Sequence, residues 1–311
     1  MRGRDRQGRH RPAPPLPGPA VRARDVAVAA AAAGLALLLA GHAVVPGAVG
    51  TMLDSVVPWL GLGVPLVAAG ALLARSRAVV AVLVPALVWV AMFGPALLPS
   101  ASAQAGDLRV ATQNLYAQNP DPAATAHDLA STGADLIGVQ EMAGDSRQEL
   151  DDVLADRHPH HRTMGTVGLW SSYPIRGAEP VDLGLGWTRA MRASITTPSG
   201  PVTVYVAHLP SLRPDSVGRR DLGMAKLAAA VADDDAERVI VLADLNTAGT
   251  DPQLGRLHLQ HAQRGLGFTW PAAFPVARLD HVLYRGVREV GAEVVRTRGT
   301  DHRAATADFA L

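Results

Sequence analysis

The stretch Val239-Ile240-Val241-Leu242-Ala243-Asp244-Leu245-Asn246-Thr247 decides how the rest of the chain is read. Its apolar, mostly β-branched start makes a buried strand, and polar residues ending such a run face a cleft rather than a core. Side chains alternate along an extended backbone, so Asp244 and Asn246 emerge side by side. A carboxylate beside a carboxamide can activate and orient one water. An Asx turn closing the strand accounts for the same pair, because Thr247, Gly249 and Asp251-Pro252 continue the turn chemistry. The functional alternative gains weight from other polar groups that end apolar runs in this chain.

Upstream, the composition changes near residue 104. Residues 1–25 carry seven arginines against Asp5 and Asp25, a net charge of +5, with prolines between them. Such a segment is a disordered basic tail. Residues 26–100 hold only Asp54, Arg75 and Arg77 as charges, +1 in all, so residues 104–311 carry the remaining −5 of a formal total of +1. Three uncharged runs, 26–45, 56–74 and 78–98, have the length of transmembrane helices. A cleavable signal peptide is the alternative for the first run, given its arginine-rich flank. The two further spans weigh against it, and Ala101-Ser102-Ala103 is a weak cleavage pattern after the third span. Arginines collect on the cytoplasmic side of a membrane. The tail and Arg75-Ser76-Arg77 therefore face the cytoplasm, Asp54 lies in an outer loop, and residues 104–311 are extracytoplasmic. With no cysteine in the chain, disulfide and thiol chemistry are excluded.

The domain opens with a strand over 108–114 that ends at Asn114, followed by a helix over 122–131 with proline in its first turn. A second strand, 135–141, ends in Gln140-Glu141, and a helix follows over 146–155. Strands over 167–171, 190–196 and 202–207 come next, the last ending at His208. After a helix over 215–232 and the Asp244 strand, a hairpin over 278–297 and a closing strand over 304–311 complete the chain. Strands outnumber helices and come in mixed order, which argues for an α/β sandwich of two packed sheets with helices outside, preceded by three transmembrane helices.

The order Asn114, Gln140-Glu141, His208 in VYVAHLP, Asp244-x-Asn246, Asp280-His281 in RLDHVLY and Asp301-His302 in TDHRAATADFAL resembles the endonuclease/exonuclease/phosphatase superfamily. The run GLWSSYPI at 168–175 is similar, over its last five residues, to the S-x-Y-P-I end of that family's G-x-x-x-x-S-x-Y-P-I, with Ser172 where a basic residue is common and Ala207 where Thr is usual before His208. The resemblance implies a four-layered α/β sandwich and a divalent-metal-dependent hydrolase. It implies Asn114, Glu141 and Asp301 as ligands of Mg²⁺ or Mn²⁺, a hard-cation donor set. It further implies that Asp244 activates and Asn246 positions the water, that His208 and His302 contact phosphoryl oxygens, and that Asp280 orients His302. No carboxylate partner for His208 is identifiable in the sequence.

Each residue has a plainer explanation beside this one. Asn114 alone is a turn residue, and Glu141 alone a solvated carboxylate. His281 alternates to the face opposite Asp280 and is structural. Tyr116 and Asn119 are candidates to line the cleft. His158, His160 and His161 sit in a proline-containing, solvated loop, while Trp170, Trp187 and Trp270 belong either to the core or against lipid.

An outward-facing, membrane-tethered, acidic domain with Lys226 as its one lysine fits a lipid-borne phosphate, concentrated by the shared surface. Nucleic acid is a poor match for that charge. Three spans before such a domain resemble the VanJ-type membrane phosphatases of teicoplanin resistance, which implies hydrolysis of undecaprenyl pyrophosphate. An anchored extracellular nuclease or phosphodiesterase, and an inactive envelope interaction module, are the alternatives. The oligomeric state of the spans is not legible.

Overall fold

The computed structural model describes residues 19–98, 106–213 and 215–311. The basic tail up to residue 18 and the Ala101-Ser102-Ala103 pattern lie outside the described residues.

Three helical segments are long and apolar enough to cross a membrane: Arg22–Val44, Gly47–Leu73 and Arg77–Leu97. Their outward faces carry bare apolar side chains such as Leu37, Leu66, Leu73 and Leu87, the signature of a multi-pass anchor whose solvent is hydrocarbon. Inside the bundle Leu39, Val57 and Phe93 pack together. The second segment begins at Gly47, earlier than hydropathy implied, so Asp54 sits within a helix rather than in a loop. It stays there because it is buried against His42, with Nδ1 to Oδ1 at 2.6 Å. At the opposite end of the bundle, Asp25 accepts hydrogen bonds from the Ser76 hydroxyl and the Arg77 amide, at 2.5 and 3.0 Å. The start of the first span and the turn between the second and third therefore share one end.

The remainder is two six-stranded mixed sheets. The first contains β1 (Leu108–Asn114), β2 (Leu136–Gln140), β3 (His160–Met164), β4 (Val167–Ser171), β11 (Arg288–Val295) and β12 (Ala304–Ala310), in the order β11-β12-β1-β2-β4-β3. The second contains β5 (Ile175–Pro180), β6 (Ala190–Thr197), β7 (Gly200–His208), β8 (Val239–Asp244), β9 (Gln260–Ala262) and β10 (Asp280–Arg285), in the order β5-β6-β7-β8-β10-β9. Their inner faces meet in one core that includes Val110, Leu136, Val206, Ile240, Leu242 and Val282. The sheets approach so closely at Gly138 that an added Cβ would lie 2.8 Å from Leu242 Cβ. Helices Pro122–Ser131 and Ser146–Leu154 cover the outer face of the first sheet, and Val217–Ala232 covers that of the second. This is the four-layered sandwich.

Alternation along β8 works as the sequence demands: Ile240 and Leu242 fill the inter-sheet core while Val239, Val241 and Ala243 pack outward under the helix. Asp244 continues the inner series. Each sheet also contains one parallel pair, β1 with β2 and β7 with β8, in which Asn114 is in register with Gln140 and His208 with Asp244. Four chemistry-bearing strand ends thus arrive at one edge of the sandwich.

The edge strand β3 lies where the sequence implied a solvated loop. Its HHRTM composition lacks the apolar alternation of a half-buried strand, and His160 and His161 are indeed partly or wholly exposed. His158 corrects that expectation, being buried with Nε2 2.8 Å from the Ala134 carbonyl. Trp170 belongs to the core, Trp187 is exposed, and Trp270 lies half-exposed beside the cleft described below.

Candidate active site

Asp244 is wholly buried and its two oxygens are separately engaged. Oδ1 accepts the Asn246 backbone amide at 2.9 Å, and Oδ2 accepts the Asn114 carboxamide at 2.7 Å and that of Asn246 at 3.2 Å. Asn114 and Asp244 come from different sheets, so this bond closes the cleft floor between them. Asn246 also donates to the Leu209 carbonyl at 3.0 Å, which ties the loops after β7 and β8 together. Burial, then the neighbouring Asp280, holds the Asp244 carboxyl above its usual range.

Across the cleft floor, Glu141 Oε1 lies 3.2 Å from His208 Nε2, and Asp244 Oδ2 lies 3.8 Å from the same nitrogen. His208 therefore has the carboxylate partner that the sequence did not reveal: Glu141 reaches it across the sheet interface, at a distance that linear spacing does not encode. Burial alone would raise the Glu141 carboxyl, but hydrogen bonding and charge from His208 carry it down to about 2. The third pair is His302 and Asp280, with Nδ1 donating to Oδ2 at 2.8 Å. Burial opposes protonation of His302, yet Asp280, by charge and hydrogen bond, pushes its pKa up to about 10. The carboxylate beside it thus favours the protonated imidazole.

Asp301 stands apart from the other two residues expected to bind metal. Its side chain is 44% exposed, its Oδ2 accepts from the Trp270 indole at 3.3 Å, and its Oδ1 is 4.0 Å from His302 Nε2. Two compact sets have one ligand atom per residue within 4.8 Å of one another, namely Glu141, His208 and Asp244, and Asp244, Asp280 and His302. The first offers two carboxylates, with the Asn114 carboxamide adjacent to both. That oxygen-rich chemistry fits a hard divalent cation. Asp280 Oδ1 is buried without a hydrogen-bond partner, a further acidic atom within this constellation.

Three non-glycine residues around the cleft adopt positive φ: Tyr116 at 65°, Glu141 at 57° and Asn246 at 45°. A left-handed backbone is costly for such side chains and persists where surrounding structure enforces it. At Glu141 it turns the carboxylate off the end of β2, with Oε2 accepting the Ala117 amide at 3.2 Å. Tyr116 lines the cleft, whereas Asn119 instead braces its own loop through Leu115 and Thr125. His281 is buried on the face opposite Asp280, with Nε2 2.8 Å from the Thr247 carbonyl, as alternation required.

Arg189 is the residue that sequence reasoning missed. Its Nη2 lies 2.7 Å from His208 Nε2, and Glu141 and Asp244 attract its charge against the cost of burial. The only signal was its place just before β6, whose antiparallel register with β7 sets Ala190 opposite Ala207 and hence Arg189 beside His208.

The family model described as the Endonuclease/Exonuclease/phosphatase family matches residues 111–302. The chain belongs to this family. Sphingomyelinase C from Streptomyces griseocarneus has a similar fold at a TM-score of 0.53 and 18% identity, covering 66% of this chain and 99% of its own. TDP2 from D. rerio, crystallised with a single strand DNA product, superposes at 0.55 with 16% identity, covering 66% and 99%. An endonuclease/exonuclease/phosphatase from Bacteroides vulgatus gives 0.54 and 16%, covering 66% and 98%. Among curated proteins none matches this sequence. The chain thus joins candidate metal-coordinating clusters in this family's fold to a three-helix membrane anchor, an arrangement in keeping with metal-dependent hydrolysis.

Proposed function

We propose that the protein is a membrane-anchored, divalent-metal-dependent phosphohydrolase that acts outside the cytoplasmic membrane on a lipid-linked phosphodiester or pyrophosphate. The observation that carries this reading is that one cavity joins Glu141, Asp244, Asn246 and His302 to Met52 and Val56 of the second span.

Within that cavity Asp244, with its raised carboxyl, accepts the proton of the attacking water, which Asn246 orients. His302, held as a cation by Asp280, donates to a phosphoryl oxygen whose charge grows in the transition state. His208 and Arg189 supply donors on the opposite side of the floor. Glu141 and Asn114, with Asp301 from the rim, would hold Mg²⁺ or Mn²⁺, and when bound this cation supplies positive charge for the phosphoryl and leaving-group oxygens. Loss of one of these groups is what the reading as an inactive envelope module would need; all are present.

Undecaprenyl pyrophosphate, and with it a link to glycopeptide resistance, is the substrate implied by the resemblance to VanJ-type phosphatases. The similar structures favour the phosphodiesterase side of the proposal, one being named a sphingomyelinase and another holding a DNA product. That second observation keeps an anchored nuclease as the competing reading. Full-length protein with Mg²⁺ should be incubated in parallel with undecaprenyl pyrophosphate, sphingomyelin and plasmid DNA. Turnover of either lipid well above that of DNA is expected; cleavage of DNA alone would replace this reading with the nuclease.

A further inference from the structure

The second span is more than a tether. Met52 and Val56 are one helical turn apart and Trp59 is the next residue on that face, so all three present one stripe. That stripe faces the catalytic cleft, which has a volume of about 820 Å³. The opposite wall is the loop after β9, through Trp270, Phe274 and Val276. Met52 is 61% exposed, Val56 47% and Phe274 72%, an apolar trough that none of the described residues fills.

Its two walls are fixed to each other. The Trp59 indole donates to the Val276 carbonyl at 2.8 Å and its ring stacks on Phe268 at 5.4 Å between centroids. Outside the trough the same span is tied to the domain, where the Thr250 hydroxyl donates to the Asp54 carbonyl at 2.5 Å and Arg220 donates to the Thr51 hydroxyl at 3.0 Å. The far end of the Trp270 loop is secured beside the catalytic residues, where the Ala272 amide meets the Asp301 carbonyl at 2.7 Å.

The trough is apolar at the span and acidic, amide-lined and cationic at the floor, the polarity of an amphiphile with a phosphate at one end. A groove that tracks a polynucleotide needs a row of cations and stacking rings along its length. The rings are present in Trp59, Tyr116, Trp270 and Phe274, but the row of cations is not: among the described residues Arg213 is the one guanidinium in the cavity's lining, while Arg189 is set against His208 behind it. Met52, Val56 and Trp59 belong to a segment, Gly47–Leu73, that is long and apolar enough to cross a membrane, so one wall of the trough is a face of that segment.

We propose that the trough between Met52-Val56-Trp59 and the Trp270-Phe274 loop seats the first apolar segment of the substrate's chain, and that the lipid enters sideways from the outer leaflet with its phosphate leading. The inference rests on the lipid reading above and adds that this chain selects its substrate by the tail as well as the headgroup. The residues of the floor act on the phosphate, and the second span sets the specificity.

The test compares kcat/KM within two pairs that differ only in the tail: methyl and hexadecyl p-nitrophenyl phosphate, and dimethylallyl and undecaprenyl pyrophosphate. Full-length wild type, Val56→Asn, Phe274→Ser and Leu66→Asn are assayed in the same detergent. Leu66 is exposed on the second span away from the trough, so micelle partition, common to all four proteins, cancels in the comparison. Wild type should prefer the long-chain member of at least one pair, and Val56→Asn and Phe274→Ser should each cut that preference about tenfold, equivalent to about 1.4 kcal/mol. Leu66→Asn should keep it. Phe274 lies on an exposed loop, so its variant reports even if Val56→Asn disturbs the bundle. Hydrolysis with the wild-type preference intact in both trough variants overturns the tail slot and leaves the catalytic reading standing. Failure of wild type to hydrolyse any of the four compounds with Mg²⁺ present overturns both.

Discussion

Asp244 and Asp280 stand directly opposite each other on the antiparallel strands β8 and β10, and neither exposes any surface to solvent. Two buried carboxylates at that spacing repel, and the Asp244 carboxyl is raised in consequence, after the larger effect of burial. The His302 imidazolium offsets the pair, bonded to Asp280 at 2.8 Å. The charges of Asp244, Asp280 and His302 are therefore set by one another.

Asp280→Asn and His302→Ala should consequently be non-additive. Each single change should lower turnover on the order of a hundredfold, since each removes the oriented cation. With His302 gone Asp280 has nothing to orient, so the double variant should be little worse than His302→Ala alone. A double-mutant cycle on kcat/KM measures this. Losses that simply multiply would show that the two residues act independently.

At Gly138 the sheets approach so closely that any Cβ meets Leu242. Gly138→Ala should destabilise the domain by about 1–3 kcal/mol, the usual cost of overpacking a core. Chemical unfolding of the solubilised protein, followed by tryptophan fluorescence, to which the buried Trp170 contributes as one of five, checks it. Unchanged stability would mean that the sheets can separate there without loss.

Away from the cleft, Asp234 accepts from Arg192 Nε at 2.6 Å and from the Tyr205 hydroxyl at 2.6 Å. The Arg192 hydrogen bonds hold its carboxyl well below the usual range, against burial. A carboxyl depressed by folding adds stability above its unfolded value of about 3.9, and that stability drains away as the pH falls below it. Asp234→Asn should cost about 1–3 kcal/mol at neutral pH and make the acid limb of the stability profile shallower below about pH 4. An acid limb as steep as that of wild type would place the titrating group elsewhere.

The sequence carried the architecture because periodicity and strand ends are local properties. Val239 to Asp244 reads as a buried strand with a polar end, and it is one. The edge strand His160–Met164 was illegible because its partner supplies the regularity that its composition lacks. The pairing of Glu141 with His208 and the place of Arg189 depend on the register between distant strands, which no short window contains. Left-handed backbone at Glu141 and Asn246 was hidden for a different reason: neither residue type demands it, and only the assembled cleft enforces it. Asp54 misled because a carboxylate in an apolar run reads as a loop until its partner His42 is found, twelve residues away.

The shared end of Asp25 and Ser76-Arg77 supports an outward-facing domain, since both arginine-bearing segments then lie on the cytoplasmic side. A reporter active only outside the cytoplasm, fused after Leu311, should be active. Strong signal from a reporter restricted to the cytoplasm would reverse the topology and remove the outer leaflet as the source of substrate.

On the proposed function, hydrolysis depends on a divalent cation held by the cluster around Glu141. Glu141→Gln keeps the shape of the side chain and removes its charge, which attracts the cation. The decisive measurement is Mn²⁺ binding to full-length wild type and Glu141→Gln, read by electron paramagnetic resonance beside hydrolysis of the lipid substrate. Binding in wild type, affinity at least about tenfold weaker in the variant, and turnover abolished by both the substitution and chelation are the predicted results. Equal Mn²⁺ affinity in the two proteins, or full turnover after chelation, would contradict the account.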